Sequence, residues 1–335
     1  MKASDHGGDI LFFSKRTKKK ITDFSSNINC VNPNINIKSL KIDISPYPDF
    51  RYTKLKKAVS RKYNLKSKNI FLSKGATDAI NHLLKTINFK KATLYAPLYG
   101  EYKKSLKTSK IKIINRLSKS FSHVEKPLKN SLVIFVNPST PDGKYYDLKK
   151  YIKMWKKLNC TVIIDESFLD FSEKRSAVTS LKKYKKLYII KSFTKFYSCA
   201  GVRIGAVFSH PKNIKKLQKN YPLWSISSFD EKYLIKALKD KKLYEKSLKK
   251  TKRNKKYLKK VLEKSKLFSK IYPSNANYLL CRLKRQNAKK LQKKLLKKGI
   301  LIRNCENFDF LNDKYVRFAV KCKKDIKKLK KAILA

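Results

Sequence analysis

Ser192-Phe193-Thr194-Lys195-Phe196-Tyr197-Ser198-Cys199-Ala200-Gly201-Val202-Arg203-Ile204-Gly205 is the stretch on which the reading of this chain turns. One lysine stands among hydroxyl, aromatic and small residues, and no other follows it until Lys212. That is a lysine-poor window in a chain with 84 lysines and arginines. A lysine in an apolar, serine-lined pocket is poorly solvated as an ammonium, so its pKa falls and its amine becomes nucleophilic. Such an amine suits a Schiff base with a carbonyl compound. Ser192 and Arg203 could hold an anion beside it, with Gly201 and Gly205 letting the backbone come close. The plainer alternative is a lysine in a loop between two strands.

Working outward, the flanking pattern is that of an α/β protein. The unbroken apolar run Leu132–Val136 reads as a buried strand and Thr161–Ile164 as the next, while Ile70-Phe71-Leu72-Ser73, Ala92–Ala96 and Leu187–Ile190 read as further strands. Helical spacing predicts helices over 51–64, from Lys74 to about 88, from Tyr99, over 147–158 and over 211–220. A single long helix is expected over 228–265. The C-terminal part reads strand 277–282, helix 287–297, strand 300–303, strand 315–320 and helix 324–334, an α+β order. Residues 1–45 read as an irregular arm, 46–228 as a large α/β domain, and 229–335 as the connecting helix with a small α+β domain.

Three features of this framework carry chemistry. Gly75-Ala76-Thr77 opens a helix directly after a strand, which leaves outward-facing N–H groups and a dipole that favours an anion. Asp165 closes a buried strand at the end where α/β sheets place their ligands. Arg303 and Arg317 lie on strands in lysine-rich surroundings. Arginine is only 11 of the 84 basic residues, and the planar guanidinium offers a bidentate fork that lysine lacks. The plainer readings are a helix start, a turn residue and two surface ion pairs.

Composition sets the limits. The chain has 335 residues, 41% of them apolar, and a formal net charge of +61. Length allows more than one domain. Lysine is spread along nearly every helical stretch, as solvated faces would be, and forms no single basic stripe. Nucleic-acid binding is therefore expected to be nonspecific only, although anionic substrates would be attracted. The six cysteines are scattered without a Cys-x-x-Cys pair, so neither a zinc site nor a disulfide framework is expected. No run of about 18 apolar residues offers a membrane span, and the first residues hold no apolar signal core. The expected location is the cytoplasm.

In order along the chain, these motifs resemble the pyridoxal-phosphate (PLP) enzymes of fold type I, the class I/II aminotransferase superfamily. The lysine window resembles its Ser-x-x-Lys-(x)5-Gly-x-Arg-x-Gly motif. The resemblance implies the aspartate aminotransferase-like fold, with a large, mainly parallel-sheet domain and a small C-terminal domain. It makes Lys195 the Schiff-base lysine and Asp165 the partner of the pyridine nitrogen. It places Gly75, Ala76, Thr77, Ser192 and Arg203 at the cofactor phosphate and Tyr99 against the cofactor ring. Tyr47 of Tyr47-Pro48-Asp49 would cross a homodimer interface to the neighbour's phosphate. Asn137-Pro138-Ser139-Thr140-Pro141-Asp142-Gly143 resembles the family's Asn-Pro-x-Asn-Pro-Thr-Gly, with Thr140 where the family has the Asn that contacts the cofactor's phenolic oxygen.

Within the superfamily, His6-Gly7-Gly8, the following Asp23-Phe24-Ser25-Ser26-Asn27 and Phe168 in Asp165-Glu166-Ser167-Phe168 resemble the L-threonine-O-3-phosphate decarboxylases of cobalamin synthesis. By that resemblance His6, Gly7, Asn27, Arg303 and Arg317 reach an amino-acid or phospho-amino-acid substrate. An aminotransferase of histidinol-phosphate type is the alternative. A polyanion-binding protein on a degenerate enzyme scaffold, suggested by the charge and by Thr140, is a third.

Overall fold

The computed structural model describes residues 6–118 and 125–334. At its centre lies a seven-stranded sheet with the order Ile70–Ser73, Gly205–Ser209, Leu187–Ser192, Thr161–Asp165, Leu132–Val136, Ala92–Ala96, Ile111–Asn115. Every neighbouring pair is parallel except those made by Gly205–Ser209, which runs antiparallel to both its neighbours. The central strands are buried along their whole length, because helices cover both faces. The C-terminal ends of Thr161–Asp165 and Leu187–Ser192 lie side by side in register, Asp165 opposite Ile190. Asp165 and the segment leading to Lys195 are therefore delivered to one edge of the sheet.

A four-stranded antiparallel sheet forms the small C-terminal unit, in the order Arg303–Asn304, Tyr315–Ala319, Tyr278–Leu283, Phe268–Ile271. Its own core includes Leu279, Phe318, Leu291 and Ile326. The arm is less irregular than its sequence suggests. Thr22–Asp23 pairs parallel with Ile300–Leu301, and Phe24 is buried in the core of the small unit. The arm is thus stitched to the C-terminal unit before it crosses to the lysine segment.

The expected single helix over 228–265 is two. Ser228–Lys239 ends and Lys241–Lys264 begins at Asp240. The Asp240 carboxylate accepts from Lys242 and Leu243 N–H, an N-cap that starts a new helix. Its other oxygen accepts from Asn34 N–H of the arm. Ile111–Asn115 and Phe268–Ile271 are strands that the apolar pattern did not predict. Both are edge strands with partly exposed residues, so neither carries an unbroken apolar run.

Candidate active site

The Lys195 segment is a single helical turn, Phe193–Phe196, directly after the strand Leu187–Ser192. The arm braces it: Asn29 N–H donates to the Lys195 carbonyl at 3.0 Å, and the Asn29 amide donates to the Phe196 carbonyl at 2.8 Å. Ser198 Oγ returns a bond to the Asn29 carbonyl at 3.0 Å. The side chain of Lys195 is thereby held into a cavity of about 240 Å³ between the two units and the arm. Burial, then the charges of Arg317 and Arg203, push the amine down to about 8. A lysine whose pKa is brought down in this way holds far more of the neutral amine that nucleophilic attack on a carbonyl requires.

Opposite stands Asp165, the only carboxylate among the described residues lining this cavity and 5% exposed. Ser167 N–H donates to one oxygen at 2.8 Å and Tyr102 Oη to the other at 2.9 Å. Burial still pushes its pKa up. A carboxylate destabilised in this way gains from a cation placed against it.

At one end of the cavity, Gly75 caps the helix Ala76–Thr86 with φ of 90° and no side-chain cap, so the N–H groups of the first turn are left for a ligand. Glycine is required there twice over. A Cβ on Gly75 would stand 2.9 Å from Arg203 Nη2, and one on Gly205 would stand 2.6 Å from the Gly75 carbonyl carbon. Arg203 and the helix start converge only because both positions lack a side chain. Thr77 Oγ1 and Tyr99 Oη are 3.1 Å apart, and Ser192 Oγ lies 2.8 Å from Thr194 Oγ1.

At the other end, Arg303 and Arg317 are register partners on antiparallel strands. Like charges directly opposite repel, so an anion placed between them would stabilise the pair. Arg317 donates to Thr140 Oγ1 and to the Ser25 carbonyl, both at 3.1 Å. Arg303 donates to the Asn304 carbonyl at 2.6 Å and to Asn307 Oδ1 at 2.7 Å. His6 lies over the Tyr99 ring, with centroids 4.8 Å apart, and its Nε2 is 2.7 Å from Glu101 Oε1. Gly7 passes so close to the Ser25 carbonyl that a Cβ would come within 2.3 Å of it. Asn27 is buried, and its Oδ1 has no hydrogen-bond partner.

His6, Gly7, Asn27, Ala76, Thr77, Tyr99, Thr140, Asp165, Ser192, Lys195, Arg203, Arg303 and Arg317 thus line one cavity, and Gly75 backs it through Arg203. Phe168 joins them, edge-on to Tyr278 at 5.0 Å. Tyr47 does not: it is 78% exposed and stacks on Trp224. Sequence reasoning missed Tyr102 and Glu101, and gave no role to Ser25 and Asn29 although both stand in the motif from Asp23 to Asn29. Tyr102 was within reach, because it lies one helical turn after Tyr99 in a helix predicted to start there.

These residues fit PLP. The lysine suits its aldehyde, the buried acid its ring nitrogen, and the bare helix start with Arg203 its phosphate. The class I and II aminotransferases match the chain over residues 19–335. The chain is 26% identical to the threonine-phosphate decarboxylase of Salmonella typhimurium, over 95% of this chain and 92% of that one. It is 31% identical to the histidinol-phosphate aminotransferase of Clostridium acetobutylicum, whose crystal structure superposes with a TM-score of 0.80 over 93% of this chain and 97% of that one. The histidinol-phosphate aminotransferase of Sinorhizobium meliloti, solved in complex with pyridoxal-5'-phosphate, shares the fold at 17% identity with a TM-score of 0.84, over 97% of this chain and 93% of that one. A lysine, an acid and an anion cradle set around one cavity on this sheet, together with a family match along almost the whole length, place the chain in the class I and II aminotransferases, a family of PLP-dependent enzymes.

Proposed function

We propose that this enzyme is a decarboxylase of the L-threonine-O-3-phosphate type, working as a cytoplasmic homodimer. The observation that carries the reading is the facing pair Arg303 and Arg317 beside His6 and Asn27, across the cavity from Lys195. Two forks in one place suit a dianionic phosphate in addition to a carboxylate. The His6-Gly7-Gly8 segment and the threonine-phosphate decarboxylase relative support the same reading.

When bound, PLP supplies an electron sink for the pair left behind as a bond to the substrate Cα breaks. The chain decides which bond that is. Arg303, Arg317 and His6 would hold the substrate's phosphate, leaving its carboxylate without an arginine and free to depart as carbon dioxide. Asp165 keeps the positive charge on the cofactor nitrogen in place. Lys195, with an amine that changes protonation near pH 8, is the group suited to hand a proton to Cα. If an arginine instead held the carboxylate, Lys195 would be placed to take the Cα proton, and the outcome would be transamination.

The homodimer rests on an apolar face. Tyr47, Trp224, Phe50 and Leu223 are exposed. Phe50 and Leu223 also line an open cleft of about 520 Å³. A second copy seated there would bring Tyr47 to its site. Trp224→Glu is expected to give a monomer in sedimentation velocity; an unchanged dimer would remove this face from consideration.

The function is tested with O-phospho-L-threonine added to PLP-loaded enzyme without a keto acid. Release of carbon dioxide with PLP retained supports the decarboxylase. Conversion of PLP to its amine form without carbon dioxide makes the enzyme an aminotransferase, as in the histidinol-phosphate relatives.

A further inference from the structure

Thr140 occupies the position where the sequence resemblance expects a contact to the cofactor ring. Its hydroxyl is engaged elsewhere. Thr140 is 5% exposed and sits on a loop fixed from several sides. Tyr278 Oη donates to the neighbouring Ser139 carbonyl at 2.7 Å, Gly143 N–H to the same carbonyl at 2.8 Å, and Asn275 N–H to the Gly143 carbonyl at 2.7 Å. The Thr140 hydroxyl is therefore an acceptor at a set point. Arg317 Nη1 donates to it at 3.1 Å, while Nη2 donates to the Ser25 carbonyl at 3.1 Å. Two acceptors on two different segments define the plane of the guanidinium, which lies 5.1 Å over the Tyr278 ring. Arg317 Nε is buried and has no hydrogen-bond partner among the described residues. A guanidinium carries five N–H donors. With these two used, the Nε hydrogen and a second Nη2 hydrogen remain on one edge, as a two-pronged donor for an anion.

We propose that Thr140 is a positioning residue for Arg317: it sets the rotation of the guanidinium so that its Nε/Nη2 edge is presented to the substrate's anionic group. This rests on the reading of Arg317 as a substrate arginine. It gives the threonine that stands in place of the family's asparagine a part in substrate selection.

The test is Thr140→Val, which keeps the shape and removes the acceptor. Dissociation constants for O-phospho-L-threonine and for histidinol phosphate are measured by spectral titration of PLP-loaded enzyme, alongside PLP affinity and the absorbance of the bound cofactor. A lost hydrogen bond to a charged group predicts binding about 10- to 100-fold weaker, with cofactor affinity and spectrum unchanged. Thr140→Ser should restore binding. In an Arg317→Met background, Thr140→Val should then have little further effect, because the coupling runs through Arg317. A changed cofactor spectrum with unchanged ligand affinity would overturn the proposal and return Thr140 to the cofactor ring. An undiminished effect in the Arg317→Met background would overturn it too, as would failure of the wild type to bind either ligand. Carbon dioxide release is read separately. A wild type that binds but does not decarboxylate refutes the proposed reaction and leaves the effect of Thr140 on binding to be judged by its own ratio.

Discussion

The amine of Lys195 is the group whose chemistry the structure predicts most directly. Burial lowers its pKa, Arg317 and Arg203 lower it further, and Asp165 opposes them, with a result of about 8 against an ordinary 10.5. At pH 7 a lysine titrating near 8 is neutral in roughly one molecule in eleven, against about one in three thousand for an ordinary lysine. The free amine is thus about 300-fold more abundant than in water. Replacing Arg317 with Met removes the positive neighbour that ranks next after burial and keeps apolar bulk over Tyr278. The Lys195 midpoint should then rise from about 8 toward the ordinary lysine value. The assay is capture of PLP by cofactor-free enzyme, followed by absorbance across a pH series with no substrate present. The rate should climb with pH to a midpoint near 8 in the wild type. At pH 7 the variant should be slower by up to about tenfold, and the two rates should converge once the pH passes both midpoints. A wild-type midpoint at the ordinary lysine value, or a profile indifferent to Arg317→Met, would refute the electrostatic argument.

Three other perturbations have defined outcomes. Lys191 is 2% exposed and bonds to Asp170 at 2.9 Å behind the lysine segment. Lys191→Met leaves a carboxylate unpaired and should cost about 3–5 kcal/mol in urea unfolding, most of it recovered when Asp170→Leu is added. Gly205→Ala drives a methyl into the Gly75–Ala76 backbone and should weaken PLP binding at least ~5-fold in a fluorescence titration. Tyr102→Phe removes a donor from buried Asp165, at about 1–3 kcal/mol. The Tyr102 bond holds the Asp165 pKa down, so its loss favours the protonated acid. The drop in melting temperature should be larger at neutral pH than in acid, where Asp165 needs no donor; an equal drop at both would count against the ionised form.

Local pattern and tertiary geometry divide what the sequence shows. The strands Leu132–Val136 and Ala92–Ala96 were legible to the residue, because a parallel strand buried on both faces is largely apolar. The edge strand Ile111–Asn115 has no such obligation and was missed. The break at Asp240 was hidden because apolar spacing runs on from Leu238 to Leu243. Only the bond from Asn34, 206 residues away, shows why the acid caps there. In the site, Lys195, Asp165 and the Gly75 turn stand out because each is a residue type out of keeping with its local pattern. The pairing of His6 with Glu101 across 95 residues, and of Arg317 with Thr140 across 177, leaves no local trace. Nor does the apolar surface at Tyr47 and Trp224, which only exposure reveals.

The charge of the chain offers a last argument about what the cavity is for. Arginine makes up 11 of 84 basic residues overall, yet the cavity is lined by three arginines and one lysine. If positive charge alone were required, lysine would serve there as it does along the helices, where it lies on solvated faces. The cavity reverses the bias at the positions where a planar fork differs from a point charge. Arg203 has to reach the mouth of a helix through the gap left by Gly75, while Arg303 and Arg317 have to share one face of a sheet. The lysine in the cavity is one whose pKa burial and the neighbouring arginines bring down to about 8. Charge on the outside of this protein is generic, whereas inside the cavity each cation is of the type its geometry needs. That contrast favours an enzyme that binds a small, doubly anionic ligand over a scaffold that collects polyanions on its surface.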